Sequence, residues 1–212
     1  MGGPSGGGSA VLTRCTIKRC GTAGILASEK GSGEELRSCL VVRCWGSGFA
    51  VNAGVNARAA HCEFSHSADS CGVWVRGTGA QITMEQCKLE GNATCGVHAD
   101  SGAVAALSWC SSVGHSAAFK AVLGASMTLS HCYSDEDDVD CCAAARWRVV
   151  LKELVVDGVS RSGVVSSASV HSGSVHSACT LNSTSSLGCG CAPVATEAAN
   201  SASAVVVDGT EQ

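Results

Sequence analysis

The sequence predicts an all-β solenoid, in which short strands coil so that each turn stacks in parallel on the next. Three observations predict it. Seven cysteines recur in one phase: Cys15, Cys39, Cys62, Cys87, Cys110, Cys132 and Cys179. Their steps are 24, 23, 25, 23 and 22 residues, then a double step of 47 that Leu154 divides into 22 and 25. A fixed period in this range marks stacked like units, not one irregular globule. Apolar residues flank each cysteine at constant offsets, and nine or ten residues after it a glycine opens a short apolar run.

The first strand of each unit ends three residues before the cysteine, at Leu12, Leu36, Ala59, Met84, Leu107, Leu129 and Leu151, and His176 breaks the row. The second strand carries the residue two after the cysteine: Ile17, Val41, Phe64, Leu89, Ser112, Ser134, Val156 and Leu181. Alternation puts the cysteine and this residue on one side of the strand. The third strand follows the glycine, as in Gly24-Ile25-Leu26-Ala27, Gly48-Phe49-Ala50-Val51, Gly72-Val73-Trp74-Val75 and Gly96-Val97-His98-Ala99, with weaker copies at Gly163 and Gly188. These glycines are read as turn residues, and Gly31, Gly54, Gly77, Gly102 and Gly124 close each unit. Helical units are excluded, because apolar residues do not recur at three and four and Gly and Ser interrupt every window.

The motif apolar-x-x-Cys-x-apolar, polar turn, Gly-apolar-x-apolar resembles the right-handed parallel β-helix repeat, of the carbohydrate-binding and sugar-hydrolase type within the pectate-lyase-like superfold. The resemblance covers roughly residues 10–191 and implies a right-handed, single-stranded parallel β-helix of about seven or eight coils with a stacked cysteine ladder. Many members carry Asn where this chain carries Cys. The family includes lyases, hydrolases, epimerases, adhesins, binding modules and intracellular proteins, so it implies a fold more than an activity.

At 212 residues the chain is expected to hold one domain. Residues 1–9 read as a Gly-rich lead, 10–192 as the coil and 193–212 as an Ala/Ser-rich tail. Aromatic residues make up 4%, which suits a narrow interior. A net charge of −4 without a basic stripe argues against a nucleic-acid partner. No window of eighteen apolar residues points to a membrane span, and the lead does not read as a signal peptide. The fifteen cysteines are expected to be buried free thiols of an intracellular, cytoplasmic protein. Bridging between coils is the rival, with Cα spacing in range but parallel side-chain directions against it. No capping helix precedes Ala10, so either the coil continues in a longer chain or its open end meets a partner.

The outward residues of the third strands should stack into one patch. The first row is Leu26, Ala50, Trp74, His98 and, with a one-residue shift, Lys120; the next is Ser28, Asn52, Arg76 and Asp100. The candidate ligand-binding patch is therefore Asn52, Trp74, Arg76, His98, Asp100 and Lys120, with Trp74 exposed to a sugar or peptide. A polar turn ladder is expected from Cys20 and Cys44 through Ser67, Asn92, His115 and Asp137, and Cys71 should stack on Cys95.

No catalytic residue, cofactor or metal centre is expected. Asp100 has no second carboxylate on neighbouring coils, as glycoside hydrolysis requires. The acidic run Asp135-Glu136-Asp137-Asp138 with Asp140 reads as a solvated loop. His61 and His131 each precede a ladder cysteine but stand three coils apart, about 14 Å at the strand spacing. The nearest metal-like arrangements, Cys141-Cys142 and Cys189-Gly190-Cys191, lack a second ligand pair. The favoured reading is a non-catalytic binding or scaffold module holding a peptide, protein or glycan on a flat strand face. The alternatives are a polysaccharide lyase or epimerase using Arg76, His98, Asp100 and Lys120, and a structural filler whose open ends contact its neighbours.

Overall fold

The computed structural model describes residues 8–134 in full, and beyond them the backbone of strands at 139–140, 148–156, 159–166, 179–180 and 186–187. Each coil has three strands. Coil one is β1 (Ser9–Thr13), β2 (Thr16–Lys18) and β3 (Ile25–Ala27), and coil two is β4 (Gly33–Arg37), β5 (Leu40–Val42) and β6 (Phe49–Val51). Coil three is β7 (Asn56–Ala60), β8 (Glu63–Ser65) and β9 (Val73–Arg76). Coil four is β10 (Gln81–Glu85), β11 (Lys88–Glu90) and β12 (Cys95–Asp100), and coil five is β13 (Val104–Ser108), β14 (Ser111–Val113) and β15 (Ala117–Ala121). A sixth begins with β16 (Ser126–Ser134), which runs through the first corner and pairs with both β13 and β14, and β17 (Val139–Asp140). No helix occurs among the described residues.

All pairing between these coils is parallel and forms three walls: β1-β4-β7-β10-β13-β16, β2-β5-β8-β11-β14 and β3-β6-β9-β12-β15-β17. The sequence offsets survive as registers. Leu12 pairs with Leu36, then come Ala59, Met84, Leu107, Leu129 and Leu151 in one row. Ile17, Val41, Phe64, Leu89, Ser112 and Ser134 make the second. Differences in coil length are absorbed at the corners, so every inward ladder stays in phase.

The interior is filled from all three walls. Phe49 and Phe119 from the third wall and Phe64 from the second are fully buried, and the rings of Phe49 and Phe64 stack at 6.2 Å. Leu36, Met84, Leu107 and Leu129 complete the row on the first wall. Burial of each such side chain stabilises the coil by about 1.5–3 kcal/mol.

The cysteine ladder lines the first corner. The residue before each cysteine, Arg14, Ser38, His61, Gln86, Trp109 or His131, has φ between 50° and 56°. The chain thus turns left-handed for one residue, and the thiol donates back to the carbonyl two residues upstream at 3.3 to 3.6 Å. Cysteine suits this position because it is small and apolar and its single weak donor is satisfied locally. Cys39, Cys62, Cys87, Cys110 and Cys132 are buried, and all ten cysteines within the fully described residues are free thiols.

Four expectations are corrected. The regular coil has about five complete turns, not seven or eight. Leu154 does follow Cys132 in register on β18 (Arg148–Val156), but β19 (Val159–Ser166), which contains Gly163, pairs antiparallel to β18. Cys179 leaves the ladder and lies in a separate antiparallel pair, β20 (Cys179–Thr180) with β21 (Ser186–Leu187). The glycines that open the third strands are not left-handed turn residues. A Cβ on Gly72 would stand 2.9 Å from the Gly96 carbonyl oxygen, and one on Gly96 would stand 2.6 Å from that of Ala118, so their role is close approach of successive coils. Gly31, Gly54, Gly77, Gly102 and Gly124 do have positive φ, as turns require. The lead to residue 7, the acidic run 135–138, Cys141, Cys142, Cys189, Cys191 and the tail 193–212 lie outside the described residues.

Candidate functional site

The third wall carries the candidate patch. Val73, Val75, Val97 and Ala99 point inward with no exposure, which fixes Trp74, Arg76, His98 and Asp100 on the outer side. Trp74 pairs with His98 and Arg76 with Asp100, while Lys120 pairs with His98 on the next coil. Ala50 pairs with Trp74 and Val51 with Val75, which puts Asn52 in line with Arg76 just past the end of β6.

Four of the six residues are fastened together. The Trp74 indole N–H donates to Asp100 Oδ2 at 2.9 Å. The Trp74 and His98 rings stack at 6.1 Å with 11° between their planes. The Arg76 guanidinium lies 5.4 Å from the centre of the Trp74 ring, and its Nε is 3.9 Å from Asp100 Oδ1. Trp74 is therefore half-buried and not exposed as the sequence suggests, because its neighbours on the next coil cover one face and its N–H is used internally. Asp100 is only 7% exposed. Its Oδ1 is buried with no hydrogen-bond donor, so the distant Arg76 charge is its compensation on that side.

Residues 5–87 match the family model described as right handed beta helix region. These repeats are right-handed parallel β-helix repeats. The match ends at the fourth ladder cysteine, and the β-helix continues past it through the same pairing. No curated protein and no solved structure matches the chain.

Two further features of the β-helix line its corners and its third wall. The polar turn ladder is built as a hydrogen-bonded column. The Ser67 backbone N–H donates to Asn92 Oδ1 at 3.0 Å, the Asn92 N–H to His115 Nδ1 at 3.0 Å, and the Asn92 side-chain amide to the Phe64 carbonyl at 3.1 Å. Its expected last member, Asp137, lies outside the described residues.

The other feature is a cluster that sequence reasoning did not assemble. Cys71 and Cys95 stack as expected, but with Ala117 they form a small buried cluster apart from the main core. Their sulfurs are 2.7 Å apart, Cys95 donating, and one nitrogen of the His98 ring lies within 4.8 Å of both. The Thr94 hydroxyl is 3.1 Å from the Cys71 sulfur. Hydrogen bonding from Cys95 holds the Cys71 thiol well below its ordinary value, and burial pushes Cys95 well above. The signal was present as Cys95-Gly96-Val97-His98. Strict alternation places residues three apart on opposite faces of a strand, which hid it.

Proposed function

We propose that this β-helix is a non-catalytic binding or scaffold module. The third wall, with Asn52, Trp74, Arg76, His98, Asp100 and Lys120, holds a peptide, protein or glycan partner. The observation that carries this reading is the state of Asp100. Its carboxylate is buried and committed to Trp74 and Arg76, so it is placed to set the shape of the face and not to move a proton on a substrate. The Arg76 guanidinium and the edge of the Trp74 ring supply what a flat recognition face uses: a fixed cation and amphipathic contact area. A reducing, cytoplasmic setting is part of the proposal, supported by the buried thiols of the ladder.

The test is a glycan array and a peptide array probed with the wild-type protein and with Arg76→Glu. The expected result is a ligand class retained by the wild type and lost by the variant, with an unchanged strand spectrum. Equal retention by Arg76→Glu removes the third wall from the reading. Turnover of an acidic polysaccharide into unsaturated or epimerised product, abolished by Lys120→Ala, establishes the lyase or epimerase alternative instead.

A further inference from the structure

We infer that Cys71, Cys95 and His98 form a binding site for a soft monovalent d10 cation, Cu(I), held by two thiolates and one imidazole on the third wall. The three donor atoms lie within 4.8 Å of one another. A trigonal ion with bonds of about 2.2 Å needs its donors about 3.8 Å apart, a span the cluster reaches once its two sulfurs separate by about 1 Å. The two sulfurs, at 2.7 Å, stand well inside the separation of about 3.6 Å at which unbonded sulfurs merely touch. An ion between them relieves that crowding through small χ1 rotations of both cysteines. His98 Nε2 is buried without a hydrogen bond of good geometry, and one nitrogen of that ring stands within 4.8 Å of both sulfurs, as a third donor to such an ion must.

The chemistry of the donor set selects the metal. Thiolate sulfur favours Cu(I) and Zn(II) over harder ions. Zn(II) in a closed site takes four ligands, and no fourth His, Cys, Asp or Glu joins this cluster among the described residues. Cu(I) is content with three donors and needs no water, which matches cysteines with 3% and 1% exposure. The Thr94 hydroxyl beside Cys71 can donate to its thiolate, and Lys120, opposite His98 on the next coil, adds positive charge near Cys95. Loading exchanges two thiol protons for one cation. Two protons leave, no electron moves, and the loaded site carries one net negative charge. The site shares His98 with the outer face, so Cys71→Ser, which leaves the residues of that face in place, separates a failure of this inference from a failure of the proposed binding role.

The experiment uses the full-length, fully reduced protein under argon, loaded with one equivalent of Cu(I) and challenged with a chromophoric bidentate Cu(I) chelator. Wild type and the ladder variant Cys62→Ser should keep one equivalent at chelator concentrations that strip Cys71→Ser and His98→Gln, a difference of about 100-fold or more in affinity. X-ray absorption of the loaded wild type should show two sulfurs and one nitrogen, and circular dichroism should confirm the strand spectrum of each variant. The inference is overturned if His98→Gln holds copper as tightly as wild type, or if Cys62→Ser loses it as readily as Cys71→Ser. It is equally overturned by an all-sulfur absorption spectrum of the wild type. Preferential retention of Zn(II) in a parallel challenge, or a Cys71–Cys95 disulfide in protein kept reduced throughout, also overturns it.

Discussion

The indole N–H of Trp74 reaches from the third coil to Asp100 Oδ2 on the fourth, at 2.9 Å. A side chain of the outer face thus acts as a tie between coils. Removing either partner leaves a buried polar group alone, and the structure gives the cost a direction and a scale.

Trp74→Phe keeps the ring stack on His98 but removes the donor. It should lower stability by about 1–3 kcal/mol, because Asp100 Oδ2 loses its hydrogen bond in a buried setting. Asp100→Asn, which keeps an acceptor, should cost less. Chemical denaturation of Trp74→Phe, Asp100→Ala and the double variant gives the coupling, expected at about 0.5–3 kcal/mol. Additive single effects would mean that the hydrogen bond contributes nothing.

Cys62 Sγ donates to the Ala60 carbonyl at the corner of its own coil and accepts from the Cys39 backbone N–H of the coil before it. Cys62→Ser should be tolerated with a modest loss. Cys62→Asp should cost several kcal/mol, about 3–5, since it buries a charge with no partner. In the native state, thiol reagents should reach Cys15 and Cys20, which are half-buried in the first coil, well before Cys39, Cys62, Cys87, Cys110 and Cys132. Uniform labelling of the ladder would contradict the packing.

Gly96→Ala tests the close approach of coils. The new methyl would stand 2.0 Å from Ser112 Oγ and 2.6 Å from the Ala118 carbonyl oxygen, and only the serine can swing away. A loss of about 1–3 kcal/mol or more is expected. Gly21→Ala, whose Cβ would meet nothing within 4 Å, is the control and should change stability by less than about 0.5 kcal/mol.

Leu123 holds φ of 50° and its side chain is exposed. A left-handed backbone costs a leucine about 1–2 kcal/mol and an asparagine less. Leu123→Asn should therefore raise the thermal midpoint by a few degrees, a gain of about 0.5–1 kcal/mol. A lower midpoint would show that Leu123 makes contacts that outweigh its strain.

Most of the fold was legible because a parallel coil writes its registers directly into sequence offsets. The steps between Leu12, Leu36, Ala59, Met84, Leu107 and Leu129 are the strand pairings themselves. Even Leu154, in the weakest copy, proved to be opposite Cys132. The reversal at β19 was not legible, since Gly163-Val164-Val165 has the same residue types as a parallel third strand and strand direction leaves no mark on composition. At the outer wall, period-two alternation placed Trp74 and His98 side by side but could not show how far Asp100 and Arg76 would cover Trp74. It also separated Cys95 from His98, because alternation puts residues three apart on opposite faces, whereas the first residue of β12 and the outward His98 come within reach of one another.

The reversal between β18 and β19 changes what the first wall offers to a further strand. Among the described residues the first wall passes from the parallel β16–β18 pairing to the antiparallel β18–β19 pairing, so a strand that seeks the parallel register of the repeat meets the opposite polarity there. A single hairpin is enough to close that wall to the parallel register at β18.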